Sequence, residues 1–179
     1  MEDARLVARF QRGDEDAFDE LVERHRRRVY SLVCRLARPA DADDLAQEVF
    51  IAAYKALPSF RGDSAFSTWI YRIAVHVCSH YVRKRRLDTT DLDEQHADQE
   101  RGHDPERSAM STELQERVRD AIERLPYKLR LVVVLRDLHG LSYDEIAQVV
   151  GCPIGTVRSR LHYASQRLAE TLRPYVEVS

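Results

Sequence analysis

The stretch Leu141–Leu161, LSYDEIAQVVGCPIGTVRSRL, decides how the chain folds. Ser142, followed three residues later by Glu145, is a capping box, in which each side chain satisfies a free amide at the start of a helix. That helix, YDEIAQVV, stops at Gly151, a residue free to take left-handed backbone, and Pro153 helps form a tight turn. A second helix is predicted from Thr156 to about Arg173. Along it Val157, Leu161, Ala164, Leu168 and Leu172 recur at steps of four and three, a single apolar stripe. Gly155, Ser159, His162 and Gln166 fall on the opposite side, flanked by Arg158. A helix, a tight turn and a second helix with a polar outer face form the arrangement that sets a helix into the major groove of DNA. Thr156, Arg158 and Ser159 stand where base contacts are expected.

Charge is at odds with that reading. A protein that grips DNA unaided presents a strongly basic face, yet 28 Lys and Arg against 30 Asp and Glu leave a net charge of −2. The 179 residues leave room for one core or two small ones, and 44% hydrophobic content with only six Gly and six Pro describes a folded, mostly helical protein. Cys34, Cys78 and Cys152 are odd in number and lack metal-ligand spacing, which points to reduced thiols. The first sixteen residues, MEDARLVARFQRGDED, contain no apolar leader, and the longest apolar run, LVVVL at 131–135, is far too short to span a bilayer. The expectation is a soluble, cytoplasmic protein with no membrane insertion of its own.

The charges also divide the chain. Residues 1–86 hold 16 Lys and Arg and 13 Asp and Glu, residues 87–112 hold 2 and 8, and residues 113–179 hold 10 and 9. The middle segment has no aromatic residue and no helical period and reads as a flexible acidic linker between two small helical domains. In the first domain a short helix near residues 4–12 precedes a long one capped by Asp14 and ending before Pro39. Asp41 or Asp43 opens the next, which Pro58 closes; after the polar loop SFRGDS a fourth helix runs from about Ser67 to Arg86, making a four-helix bundle. In the second, a helix from near Ser111 or Thr112 is followed by one that starts with Pro126 and ends at Gly140.

The fourth helix divides like the last one. Phe66, Ile70, Ile73, Val77 and Tyr81 form its apolar stripe, and Arg72, His76, Ser79 and Arg83 share another face that ends in the basic run RKRR at 83–86. Such a run suits a helix C-terminus, and beside a second DNA-like module it also suits phosphate contact. His76 and His80 are spaced to share a metal ion, but Cys78 lies about 200° around the helix from His76 and cannot join them, so they read as two polar helix histidines. Trp69 reads as core. No phosphate-cradling glycine loop, nucleophile motif or paired carboxylates are found, so no enzymatic activity and no cofactor are expected.

DLAQEVFIAAYKAL, SFRGDSAFSTWIYRIAV and LSYDEIAQVVGCPIGTVRSRL, in that order, resemble regions two and four of the extracytoplasmic-function sigma factors of bacterial RNA polymerase, in their sigma-E/AlgU-like, envelope-stress form. The resemblance implies an all-α protein that binds core polymerase and directs promoter-specific initiation. Asp44, Gln47 and Glu48 match residues that dock on the clamp helices of the beta-prime subunit, and the second domain would meet the flap of the beta subunit. The loop from Phe60 with the helix after it matches the reader of the minus-10 element, where a base is extruded into a protein pocket; Arg61, Ser64, Ser67, Arg72, His76, Ser79, His80 and Arg83 are the implied contacts. Gly155, Thr156, Arg158, Ser159, Arg160, His162 and Arg167 match the minus-35 reader. The acidic segment resembles one that threads near the RNA path, and an anti-sigma factor is the implied regulator. His76 and His80 stand where such proteins usually carry Asn, which implies an altered minus-10 preference; Tyr163 and Ser165 replace common basic residues, implying a weaker backbone grip. The alternatives are a dimeric helix-turn-helix regulator that binds DNA by itself and a module that only sequesters a partner.

Overall fold

The structure, a computed structural model, describes residues 2–89 and 113–176. Every regular element among them is helical, and the chain divides into two compact units. The first contains α1 (Glu2–Gln11), α2 (Asp16–Leu36), α3 (Ala42–Ala56) and α4 (Phe66–Thr89). The axis of this unit is α2, where Ala17, Phe18, Leu21, Val29, Leu32, Val33 and Leu36 are buried at helical spacing. It packs against α1, α3 and α4 in turn, and Val49, Leu57 and Ile70 complete the core. Phe10 and Phe18 meet Tyr54 edge-on at 5.3 and 5.1 Å, which seats α1.

The ends of these helices differ from expectation because their carboxylates are taken by side chains of neighbouring helices. Glu15 occupies the cap position of α2 without a side-chain capping bond, its carboxylate accepting instead from the Tyr54 hydroxyl at 3.3 Å, while Asp14 accepts from Arg9 Nε at 2.7 Å. Asp41 sits at the cap of α3 after a 3-10 turn, Pro39–Asp41, but its carboxylate accepts from the Tyr81 hydroxyl of α4 at 2.5 Å. Burial, and then this bond, hold the Tyr81 phenol above its ordinary range. The fourth helix runs to Thr89, three residues past the expected end at 86, so the first residues of the expected acidic linker continue α4. The remaining residues, 90–112, lie outside the described residues.

The second unit carries α5 (Glu113–Glu123), α6 (Tyr127–Val133), α7 (Tyr143–Val150) and α8 (Ile154–Val176). All five residues of LVVVL are buried, since α6 packs against both α8 and α5. Pro126 is the residue before α6 and not its first, and the helix widens after Val133 into a π-helical turn, Val134–Leu138. Gly140, at φ 70°, then reverses the chain. The capping box forms as read: Glu145 N–H donates to Ser142 Oγ at 3.2 Å and Ser142 N–H to Glu145 Oε2 at 2.8 Å, contributing about 1 kcal/mol. Gly151 closes α7 in left-handed backbone. Next, α8 begins at Ile154, two residues early, because the amides of Thr156 and Val157 both reach the Pro153 carbonyl. Its last turn accommodates Pro174, with the loss of one ladder bond.

Candidate functional site

Three exposed helix faces carry the residues singled out in the sequence. On α8, Val157 and Ala164 are buried against the unit while Gly155, Arg158, Ser159 and His162 are exposed along the outer side. Thr156 is half-buried and Arg167 exposed. Ser159 Oγ donates to the Thr156 carbonyl at 3.0 Å, so the first turn is rigid and the serine keeps an acceptor facing out. Arg160 departs from the group: it is half-buried, and its Nη1 lies 3.9 Å from Cys152 Sγ, back toward the turn. Tyr163 is 58% exposed and touches His162 with ring centroids 5.9 Å apart, adding an aromatic to this face that the sequence reading had treated only as a missing charge. Ile146 and Val149 of α7 are buried. Arg136 braces the entry to α7 by donating to the Leu141 carbonyl at 3.0 Å while lying 5.1 Å over the Tyr143 ring.

On α4 the burial is wide, with Phe66, Ile70, Tyr71, Ala74, Val75, Val77 and Cys78 all inside. Arg72, His76, His80 and Arg83 stand exposed on the remaining strip, with Ser67 and Ser79 half-buried at its edge. Cys78 is fully buried, and burial pushes its thiol up to about 12; it thus points away from the two exposed histidines. Among the described residues no group of three or more metal-ligating side chains comes together. Arg85 turns back, 3.9 Å from Asp41 and 5.9 Å over the Tyr81 ring, while Arg83 and Lys84 face solvent.

Ahead of α4, Arg61, Gly62 and Asp63 are exposed and Ser64 is half-buried, with Gly62 at φ 76°. Beneath this loop lies a ladder of rings: Phe60 on Trp69 at 4.9 Å, Trp69 on Phe66 at 5.4 Å, and Phe66 on His25 at 5.0 Å. Trp69 is therefore a half-buried rim residue in a surface-reaching cluster, where the sequence reading had it in the core. His25, inside the charged run of α2, is buried and bonded through Nε2 to Asp3 at 2.9 Å.

The third face is on α3. Leu45, Ala46, Val49 and Ala53 are buried, and Asp44, Gln47 and Glu48 are exposed along one stripe that continues to Ile51, 48% exposed. Two acids, an amide and an unburied isoleucine suit a protein partner with basic and apolar groups better than they suit DNA. No helix among the described residues is long and apolar enough to cross a membrane.

Residues 21–87 match the family model for sigma-70 region 2, and residues 115–168 that for sigma-70 region 4. The chain is 45% identical to the ECF RNA polymerase sigma-E factor of Escherichia coli K12 over 97% of its length and 96% of that protein. It is 42% identical to the RNA polymerase sigma-H factor of Pseudomonas aeruginosa over 97% of its length and 95% of that protein. A solved structure of the sigma factor RpoE with the anti-sigma factor NepR, from Bartonella quintana, superposes with a TM-score of 0.74 at 26% identity, covering 87% of this chain and 96% of that one.

Proposed function

Because the chain belongs to the extracytoplasmic-function sigma factors of RNA polymerase, we propose that its three exposed helix faces are the working surfaces of a promoter-specificity subunit. The protein binds core RNA polymerase and directs promoter-specific initiation. On our reading Asp44, Gln47 and Glu48 on α3 dock on the clamp helices of the beta-prime subunit, with Ile51 supplying the apolar contact. The unit carrying α5–α8 rests on the flap of the beta subunit. Arg61, Ser64 and Ser67, with Arg72, His76, Ser79, His80 and Arg83 of α4, read and hold the opened minus-10 element. Gly155, Thr156, Arg158, Ser159 and His162 read the minus-35 element, Arg158 reaching a guanine edge, with Arg167 on phosphate and Arg160 steadying the turn. The protein performs no reaction of its own, acts in the cytoplasm within a stress response, and is held back by an anti-sigma factor, as the neighbouring RpoE structure is complexed with one.

The observation that carries the reading is the exposed polar face of α8 on a chain of net charge −2. Base readers without a basic surface serve a subunit whose phosphate grip comes from a larger partner, and the low charge keeps the free protein off the excess of non-specific sites. Promoters selected from a randomised library by run-off transcription with core polymerase supply the test. In a mobility-shift assay at physiological salt, core enzyme plus this chain retards the selected duplex and the chain alone does not. Sequence-specific binding by the chain alone would favour a self-sufficient regulator.

His76 tests the minus-10 assignment. It is exposed on α4 one turn before His80, and imidazole is bulkier than the Asn usual there and presents its hydrogen-bonding nitrogens in a different geometry. His76→Asn is expected to change the minus-10 sequence recovered in the same selection. An identical sequence from both proteins would remove His76 from the site.

A further inference from the structure

Helix α1 lies outside the residues matched to sigma-70 region 2, which begin at residue 21, and none of the faces assigned above uses it. It is nonetheless strapped to α2 near both ends. Arg24 and His25 hold Glu2 and Asp3 at 2.6 and 2.9 Å, and Arg9 reaches Glu20 at 2.8 Å. From that fixed position the last residue of α1, Gln11, points at the exit of α3. Its Nε2 donates to the carbonyl of Leu57 at 3.1 Å and to that of Phe60 at 2.8 Å.

Those two carbonyls bracket a 3-10 turn, Leu57–Ser59, which is closed from within by Phe60 N–H on the Leu57 carbonyl at 3.1 Å. Gln11 closes it from outside. Immediately downstream, Phe60 lays its ring on Trp69, and the exposed stretch from Arg61 to Asp63 begins, where no main-chain hydrogen bond is found among the described residues. The turn thus sets the direction in which an otherwise unsupported loop leaves the helix.

We propose that α1 is a brace for minus-10 recognition and that Gln11 is its positioning residue. The inference rests on the reading of the loop from Phe60 as the minus-10 reader. A loop that must capture an extruded base binds it more tightly when its backbone is already ordered, because less conformational freedom is lost on capture. Gln11 supplies that order through two donors and touches no nucleic acid itself.

The test uses holoenzyme and a single-stranded minus-10 oligonucleotide carrying either the selected base or an abasic site at the extruded position. Wild type prefers the intact oligonucleotide. Gln11→Leu, which keeps the shape and removes the donors, is expected to lower that preference about three- to tenfold, the worth of one or two neutral hydrogen bonds. Gln11→Lys, which restores a donor, is expected to recover most of it. Affinity for core polymerase, read by α3, stays at the wild-type level in both. Gln11 is exposed, so neither variant is expected to lose the fold. Undiminished preference in Gln11→Leu overturns the brace alone. A wild type indifferent to the abasic site overturns the minus-10 assignment of the loop, and the brace with it.

Discussion

Arg158→Ala is expected to lower the affinity of holoenzyme for a minus-35-dependent promoter by about 10- to 100-fold, the range for losing a two-pronged contact to one guanine. Its guanidinium stands exposed beside Ser159 and His162, above the buried Val157. No intramolecular bond to it is found among the described residues. The loss should be unequal across sequences. A promoter variant already lacking the guanine should be bound equally by both proteins, whereas Arg167→Ala should weaken every duplex to a similar, smaller degree and flatten the salt dependence. Quantitative footprinting on the two promoter variants at two salt concentrations checks both statements. A uniform loss for Arg158→Ala would make it a phosphate contact instead.

Ile146→Ala is expected to cost the second unit about 2–5 kcal/mol, the largest stability effect foreseen here. Ile146 is wholly buried on α7, where it lies between the capping box and the left-handed Gly151. Small helical units have little stability in reserve, so much of this unit should be unfolded at physiological temperature. Denaturant titration is expected to show its transition moved to lower concentration while that of the first unit stays in place. Transcription should fall steeply at promoters that need the minus-35 element. A cost below about 1 kcal/mol would mean the site collapses around the missing atoms.

Signals confined to a few consecutive residues could be read from the sequence. The Ser142–Glu145 box, the glycine at 151, and the stripes through Phe66, Ile70 and Val77 and through Val157 and Ala164 all place their faces as expected. What the sequence hid were side-chain bonds from one element to another. Asp14 and Asp41 look like caps until Arg9 and Tyr81 claim them, and nothing in the composition near Gln11 announces a bond to residues 46 and 49 positions away. The charged run around His25 conceals a buried ring. Arg130, just before the apolar run at 131–135, is buried, and its Nη1 closes α5 by bonding the Glu123 carbonyl at 2.9 Å. The π-helical turn at Val134–Leu138 is also silent in the sequence: it opens inside the buried run with Val134 and Leu135 and passes to the exposed Arg136, Asp137 and Leu138, and one added residue per turn leaves no mark on so short a pattern. In the candidate sites, helical periodicity identified which residues face outward, whereas Arg160 and Arg85 turn back because of Cys152 and of Asp41 with Tyr81.

The buried thiol of Cys78 bears on chemical ageing. Peroxides and disulfides attack the thiolate, and a sulfur that gives up its proton only at about 12, with no surface open to solvent, offers almost none at neutral pH. The helix proposed to handle melted promoter therefore carries a cysteine that weathers oxidants as an alanine would. Damage there must wait until the bundle itself comes apart.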